Sequence, residues 1–225
     1  MDLQAHGICK RFFRKSGGSN TFEAVSPTDL LLPEGTLTVL LGRSGSGKTT
    51  LLNLLSGLLV PTEGTVRLGD TDLYAMDDQA LSRFRNQHIG VIPQGHAALY
   101  SLSVAENVAF PAGLYGGRPD AMDAACCLLE RFGIGQLKDV SPSELSGGEL
   151  RRMAIARALH QDAPLLLADE PTGDLDDENT ARVLAILRDA AHRDGKTVLL
   201  VSHEPDAARY ADRLLTLDAG RLTEG

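Results

Sequence analysis

Residues 42–50 read Gly-Arg-Ser-Gly-Ser-Gly-Lys-Thr-Thr and follow directly on an apolar run, Thr36 to Leu41. The stretch fits the pattern G-x-x-x-x-G-K-[ST] between a strand and a helix, where successive backbone N–H groups wrap a polyphosphate. Glycines at 42, 45 and 47 let the backbone take positive φ and approach phosphate oxygens closely. The stretch therefore predicts a nucleoside triphosphate site at a strand–helix junction.

Two side chains of this loop have specific expected roles. Lys48 places a cation on the β- and γ-phosphate oxygens, and the Thr49 hydroxyl can ligate Mg²⁺. The alternative is a glycine- and serine-rich turn with a chance lysine, and the strand before the loop and the helix after it argue against that alternative. The candidate nucleotide-binding residues of the loop are Gly42, Arg43, Ser44, Gly45, Ser46, Gly47, Lys48, Thr49 and Thr50.

Composition limits the class of protein. A chain of 225 residues with 43% hydrophobic content can bury a substantial core, as one large domain or a core with an inserted subdomain. The net charge of −8 argues against a nucleic-acid partner, because phosphate contacts need clustered basic residues. One local basic cluster is interpreted first as a solvated loop face, with lipid headgroups or a nucleotide as lesser alternatives. It comprises Lys10, Arg11, Arg14 and Lys15.

Cysteine usage and the first residues indicate where the chain works. Its three cysteines contain no C-x-x-C spacing, so they predict neither a disulfide framework nor a zinc site. The start Met-Asp-Leu-Gln lacks a basic and an apolar signal region, and no apolar run approaches the ~18 residues of a membrane span. We expect a cytoplasmic chain that does not itself cross a bilayer.

Short apolar runs alternate with helical patterns, which predicts an α/β fold with a mainly parallel sheet. From about 95 to 160 the pattern turns helical, with a capping-box pair at Ser103 and Glu106 and with Pro119 suited to the first turn of a helix up to Phe132. We interpret this region as a helical subdomain inserted into an ATP-binding core of about 1–94 and 161–225. The predicted strands are Leu3–Ile8, Asp29–Leu32, Thr36–Leu41, Thr65–Leu68, Gly90–Ile92, Leu165–Ala168, Val198–Ser202 and Leu214–Leu217.

A second glycine-rich signal is Leu-Ser-Gly-Gly-Glu at 145–149. Ser146 and Glu149 form another capping-box pair, and Gly147 and Gly148 leave N–H groups at the helix start available to an anion. From the pentapeptide alone, an ordinary N-cap is the simpler interpretation. The acidic strand end that follows favours the anion site.

That strand end is Leu165–Ala168 followed by Asp169 and Glu170, which puts two carboxylates at the crevice where α/β proteins bind ligands. Asp169 can hold Mg²⁺ through water, and Glu170 can polarise a water for attack on a γ-phosphate. His203 follows the strand Val198–Ser202 and can either hydrogen-bond the γ-phosphate or orient Glu170. Either feature alone would more often be an ordinary strand end.

Taken in order, these motifs resemble those of the nucleotide-binding subunit of an ABC transporter. The resemblance implies a P-loop core of the RecA-like type, mainly parallel, with an N-terminal antiparallel β region and an inserted helical subdomain. Further segments resemble the lipoprotein-releasing, macrolide-efflux and cell-division branch of that family (LolD-, MacB- and FtsE-like). These segments are 106–111 with 114–117, 171–176 and 208–213. The motifs that match the whole family are 42–50, Gln94, 145–149, 165–170, 173–176 and His203.

The resemblance implies a role for individual residues. Phe12 would stack on adenine, with Phe13 as its rival and a core position open to either ring. The cofactors would be ATP and Mg²⁺, and Ser146, Gly147 and Gly148 would cap the γ-phosphate held by another copy. The implied catalytic residues are Glu170, His203, Gln94 and Lys48, the metal ligands are Thr49, Gln94 and Asp169, and Asp176 completes the nucleotide site.

The implied partners are a second copy, in a dimer that sandwiches two ATP molecules, and an integral membrane permease that holds the chain on the inner face of the cell membrane. Three positions depart from the family pattern: Pro93 in place of an aromatic, Glu149–Arg152 where Gln is common, and Glu204 for Asp. None of them removes a phosphate contact or the base, so we expect activity to be retained.

Two other classes of protein are alternatives. A soluble ABC-type ATPase acting on nucleic acid or ribosomes tends to carry a coiled-coil insertion, paired domains or a basic face, and the sequence contains none of these. A small-molecule kinase with the same phosphate loop does not explain the 145–149 motif together with His203.

Overall fold

The computed structural model describes residues 1–13, 21–95, 97–115, 118–173 and 175–224. Arg14, Lys15, residues 116–117 and Asp174, which appear in the predictions above, lie outside these residues. The strands are β1 Leu3–Phe13, β2 Thr21–Leu32, β3 Leu37–Leu41, β4 Glu63–Leu68, β5 Thr71–Asp72, β6 Ile89–Ile92, β7 Leu165–Asp169, β8 Thr197–Ser202, β9 Arg213–Asp218 and β10 Arg221–Glu224. The helices are α1 Lys48–Leu55, α2 Asp78–His88, α3 Val104–Gly113, α4 Ala121–Arg131, α5 Gly147–His160 and α6 Asp177–His192.

The larger sheet has the order β10-β9-β3-β8-β7-β6, in which all neighbours are parallel except β10 and β9. Alternate residues of a strand enter two different cores. In β8, Val198 and Leu200 pack on one face, whereas Leu199 and Val201 pack on the other. Both faces are covered, which explains why β7 and β8 are continuous apolar runs.

The smaller sheet has the order β2-β1-β4-β5 and is antiparallel. Its apolar residues share one core with the leucines of α1 and one face of the larger sheet. Ile8, Leu32, Leu51, Val66 and Val201 are all buried there. The predicted fold class, a mainly parallel sheet with an N-terminal antiparallel region, is confirmed.

Helices α3, α4 and α5 pack on the other face of the larger sheet. Val108, Phe132 and Met153 join Val39 and Leu200 in a single buried cluster. Within the described part of residues 97–160 every regular element is helical. The helical layer therefore shares its core with the sheet.

The predicted start of α3 is observed in detail. The Ser103 hydroxyl accepts from the Glu106 N–H at 3.2 Å, and the Glu106 carboxylate accepts from the Ser103 N–H at 2.7 Å. The predicted helix from Ala121 to Phe132 is observed as α4, which begins at Ala121 and has Phe132 as its C-terminal boundary residue, but Pro119 does not lie in its first turn. Pro119 precedes the helix instead.

Four strands differ from prediction: β1 continues to Phe13 instead of ending at Ile8, β5 was not predicted, and β2 and β10 differ for identifiable reasons. β2 begins at Thr21 rather than Asp29, because its Pro27 breaks the strand pattern in sequence but is tolerated at the edge of a sheet. β10 was not predicted, since a polar four-residue segment carries no apolar run. Among the described residues, no helix is long and apolar enough to cross a bilayer.

Candidate nucleotide-binding and catalytic site

The loop between β3 and α1 has a shape that only glycine permits at several positions. Gly45 and Gly47 have φ of 79° and 105°. A Cβ on Gly47 would lie 2.2 Å from the carbonyl oxygen of Ala24, and one on Gly42 would lie 2.5 Å from that of Leu217. Both obstacles are backbone atoms of neighbouring strands, so the loop is clamped between β2 and β9.

Lys48 lies under this loop and is only 6% exposed. Its ammonium donates to the carbonyl oxygens of Gly42, at 2.7 Å, and Arg43, at 3.0 Å. Ser46 is buried, and its own carbonyl accepts from the Gly220 N–H at 2.9 Å. The loop is thereby held from inside by Lys48 and from outside by the turn between β9 and β10, with its N–H groups at the start of α1.

A cavity of about 200 Å³ opens in front of the loop and of the N-terminus of α1. The glycine backbone, the lysine and the helix start together form an anion cradle of the kind that binds phosphate. The residues present fit the triphosphate of a nucleotide. The residues that line the cavity are Phe22, Ala24, Ser44, Gly45, Gly47, Lys48, Thr49, Thr50, Gln94 and Glu170.

Asp169, the last residue of β7, reaches the first turn of α1. Its carboxylate accepts from the Thr49 hydroxyl at 2.7 Å, and the residue is 3% exposed. Burial raises the pKa of Asp169 above its ordinary value, and the Thr49 hydrogen bond acts in the opposite direction. A hydroxyl, a carboxylate and the amide oxygen of Gln94 are oxygen donors, the set that Mg²⁺ prefers, so these residues fit that ion.

Glu170 is the point at which the candidate catalytic side chains meet. Its carboxylate accepts from Gln94 Nε2 at 2.9 Å and lies 3.1 Å from His203 Nδ1 and 3.9 Å from Lys48 Nζ. The side chain is 17% exposed, so water can reach it. Of the two roles considered for His203, the structure shows the contact with Glu170.

The aromatic residues lie at the side of the cavity formed by β2. Phe22 lines the cavity, and Phe12 is its direct partner in the antiparallel register. Directly opposed residues share a face of the sheet, so both rings are on the same side. Phe13, the rival of Phe12, pairs with Thr21 and is 84% exposed. The sequence alone does not single out Phe22, because only the strand register brings it beside Phe12.

The 145–149 motif forms the start of α5 as predicted. The Ser146 hydroxyl accepts from the Glu149 N–H at 3.4 Å and donates to the Glu149 carboxylate at 2.7 Å. The hydroxyl and the backbone N–H of Ser146, which both donate to the Glu149 carboxylate, lower the pKa of Glu149. The N–H groups of Gly147 and Gly148 stand in the first turn, where a helix offers them no acceptor of its own. Among the described residues, none of Ser146, Gly147 and Gly148 lines the cavity of its own chain.

Asp176 caps the start of α6. Its carboxylate accepts from the backbone and side-chain N–H groups of Asn179 at 2.8 and 2.9 Å, which lowers the pKa of Asp176. The structure thus places Asp176 at a helix terminus, outside the described lining of the cavity.

A buried arginine beside the site is the second residue that the sequence alone did not single out. Arg151 of α5 is 2% exposed and donates to the carbonyl oxygens of Pro93, at 2.7 Å, and Glu170, at 2.8 Å. Its signal was the departure at Glu149–Arg152, where a cation stands among residues that are commonly polar and uncharged.

Comparison with known proteins supports the motif assignment. A family model described as ABC transporter matches residues 25–173. The lipoprotein-releasing system ATP-binding protein LolD of Chromohalobacter salexigens is 41% identical over 99% of this chain and 93% of its own length. The macrolide export ATP-binding/permease protein MacB 1 of Aeromonas hydrophila is 42% identical over 98% of this chain, which spans 34% of that protein.

A solved structure shares the whole fold. The ATP-binding cassette MJ0796, in a dimeric post-hydrolysis state bound to ADP and Pi, superposes with a TM-score of 0.91 and 31% identity. The match covers 99% of this chain and 98% of that one.

Proposed function

This chain belongs to the ABC transporter family as an ATPase subunit, and on that premise we propose that two copies close around two ATP molecules to drive a membrane permease. The relatives with the names LolD and MacB favour lipoprotein release or export as the task, with force transmission as the nearest alternative.

The observation that carries the proposal is the Glu170 carboxylate, held by Gln94 and His203 beside the phosphate cradle. In the proposed reaction a water attacks the γ-phosphorus of ATP, and Glu170 accepts the proton as the bond to the β-phosphate oxygen breaks. Gln94 and His203 orient Glu170, and Lys48 neutralises phosphate charge. Mg²⁺ held by Thr49, Gln94 and Asp169 would neutralise further phosphate charge.

The second copy supplies the rest of the site. Ser146, Gly147 and Gly148 start α5 away from the described lining of this chain's own cavity, and their first-turn N–H groups suit a phosphate on another molecule. We therefore assign them to the γ-phosphate of the partner copy's ATP. Loss of that phosphate would loosen the dimer.

An exposed apolar groove supports a membrane partner. A cavity of about 530 Å³ lies between α3 and α4, beside Phe110, Leu114 and Met122, which are 43%, 52% and 45% exposed. A contiguous exposed apolar patch marks an interaction site more often than free surface. We propose that the groove binds the cytoplasmic face of the permease, so that the chain would lie on the inner side of the cell membrane.

The test is Glu170→Gln. The amide keeps the size and the cradle but cannot accept the proton, so the variant is expected to bind ATP, to lose hydrolysis by about 10²-fold or more, and to accumulate as an ATP-bound dimer. Gel filtration with Mg-ATP and phosphate release measure both effects.

Glu130→Gln is the matched control, since Glu130 is an exposed acid on α4. It should hydrolyse ATP at the wild-type rate and should not accumulate as an ATP-bound dimer. A Glu170→Gln protein that hydrolyses ATP at the unchanged rate would contradict the role of Glu170. Co-purification with a membrane subunit, as opposed to nucleic acid or ribosomes, tests the partner.

A further inference from the structure

Arg151 makes contacts that join three functional segments. It lies in α5, five positions after Ser146, with its guanidinium fully inside the protein. One terminal nitrogen donates to Pro93 O at 2.7 Å and, more weakly, to Gly95 O at 3.5 Å. The other donates to Glu170 O at 2.8 Å.

The two carbonyls of the first set flank Gln94, so Arg151 holds the backbone on both sides of that side chain. The third belongs to Glu170, whose carboxylate contacts the Gln94 amide at 2.9 Å. A single planar group thereby fixes the backbone of two side chains that meet at the proposed site of hydrolysis. Lysine, with a point charge, does not have this geometry.

Glu170 needs such support because its backbone is strained. Its φ is 48°, in the left-handed region that residues other than glycine avoid. The conformation is held on one side by the bond from Glu170 N–H to Val201 O, at 2.9 Å, and on the other by Arg151. Removing the guanidinium would free the second side.

The same helix contacts the same loop a second time. Arg157, on α5, donates to Ala97 O at 2.5 Å, beyond the segment that Arg151 holds. Movement of α5 as a rigid body would therefore displace the Gln94 loop at two points, whereas movement of a side chain alone would not.

We propose that Arg151 is a positioning residue that makes the alignment of Glu170 and Gln94 depend on the position of α5. Because α5 starts at Ser146, engagement of that start by the partner copy's ATP changes the alignment of the base in this chain. This inference rests on the proposed function and adds a coupling between the two ATP sites.

The test uses Arg151→Gln and Arg151→Lys, with Lys196→Gln as control. Lys196 is also a buried cation, 6% exposed, and it donates to Asp162 at 2.6 Å and to Ala163 O at 3.1 Å, just before β8 and away from the carboxyl edge of the sheet. Its variant matches the loss of a buried charge without touching the site.

For Arg151→Gln we expect ATP binding to the single chain within about twofold of wild type, a fall in kcat of about 10²-fold and a Hill coefficient reduced to one. Arg151→Lys should recover part of kcat but not the cooperativity. Lys196→Gln should lower the melting temperature while leaving kcat and the Hill coefficient unchanged.

Wild-type kcat and cooperativity in Arg151→Gln would overturn the inference, as would equal losses in the Lys196→Gln control. If Arg151→Gln does not fold, Arg151→Lys decides: cooperativity equal to wild type overturns the inference. The proposed function fails separately, when the wild type does not hydrolyse ATP or Glu170→Gln does not impair it.

Discussion

At the scale of single residues, two adjacent acids differ because their surroundings differ. Asp169 is enclosed at the end of β7, whereas Glu170 turns out into the cavity with partners on both carboxylate oxygens. The strained backbone of Glu170 is what separates the two side chains. An acid for the metal and an acid for the water can therefore be neighbours in sequence.

Asp169→Asn should lower the activity and raise the stability of the fold. Burial raises the pKa of Asp169, so the folded state binds the proton more tightly than the unfolded chain, and wild-type stability falls as the pH rises from about 3.8 through the raised pKa. At neutral pH the variant escapes this cost and keeps an acceptor for Thr49. We expect a higher melting temperature without nucleotide, and loss of Mg-ATP hydrolysis. Calorimetry and phosphate release measure these, and a lower melting temperature would be the contrary result.

The roles proposed for Lys48, Asp169 and Glu170 came from sequence because each follows directly on a recognisable strand or loop. Phe22 and Arg151 could not, since their partners are 10 or more residues away and are brought close only by strand register or helix packing. A buried arginine looks like a solvated one until the fold is known.

At the scale of elements, α5 connects most of the molecule. Ser146 caps its start, Arg151 and Arg157 on it contact the Gln94 loop, and it ends at His160, which is 2% exposed. His160 Nε2 donates to Ala121 O at 2.7 Å and so joins the end of α5 to the start of α4.

His160 should make stability depend on pH. Burial lowers the pKa of His160 and Arg118 lowers it further, whereas the bond to Ala121 O and the charge of Asp120 act in the opposite direction. Protonation would place an N–H on the buried Nδ1 atom, which has no hydrogen-bond partner among the described residues. Below about pH 6.5 the unfolded chain binds a proton that the folded chain does not, so stability is lost as the pH falls from there to the lowered pKa. The free energy of unfolding, measured with urea at pH 7.5 and at pH 5.5, should differ less between the two pH values for His160→Gln than for wild type.

The exposed His6→Gln provides the comparison for that measurement, because its side chain is 65% exposed. The same pH dependence of the free energy of unfolding in His160→Gln as in wild type would contradict the role of His160.

Both cap motifs, at Ser103 and Ser146, were predictable from sequence because a capping box is local; the packing of α5 on α4 is not local and was not predicted.

At the scale of the whole molecule, the phosphate loop and the start of α5 belong to different layers on opposite faces of the larger sheet. Because Ser146 lies outside the described lining of its own cavity, the proposed complete site needs two chains. That requirement gives a sharper test than dimerisation alone.

Lys48→Ala loses the cradle cation, and Gly148→Asp puts a negative charge where a phosphate is expected, so each protein alone should be inactive. Mixed together they can form a dimer with one intact composite site. Half of the dimers are then mixed and each has one working site, so independent sites would return about a quarter of the wild-type rate, and coupling between the sites through Arg151 should keep the recovered rate below that. Absence of any gain on mixing, with both variants folded by circular dichroism, would show that the two motifs do not act across an interface.

The layered α/β fold was predictable from the apolar strands, which alternate with helices. The sequence did not predict β5, β10 or the first half of β2. Short or polar edge strands take their conformation from pairing with a neighbouring strand, so they show no apolar pattern of their own.

The larger sheet ends at β6, four residues long and followed at once by Pro93, and at the short, polar β10. Such borders offer little backbone for a foreign strand to extend. At high protein concentration these two edges should therefore not act as templates for strand-to-strand aggregation.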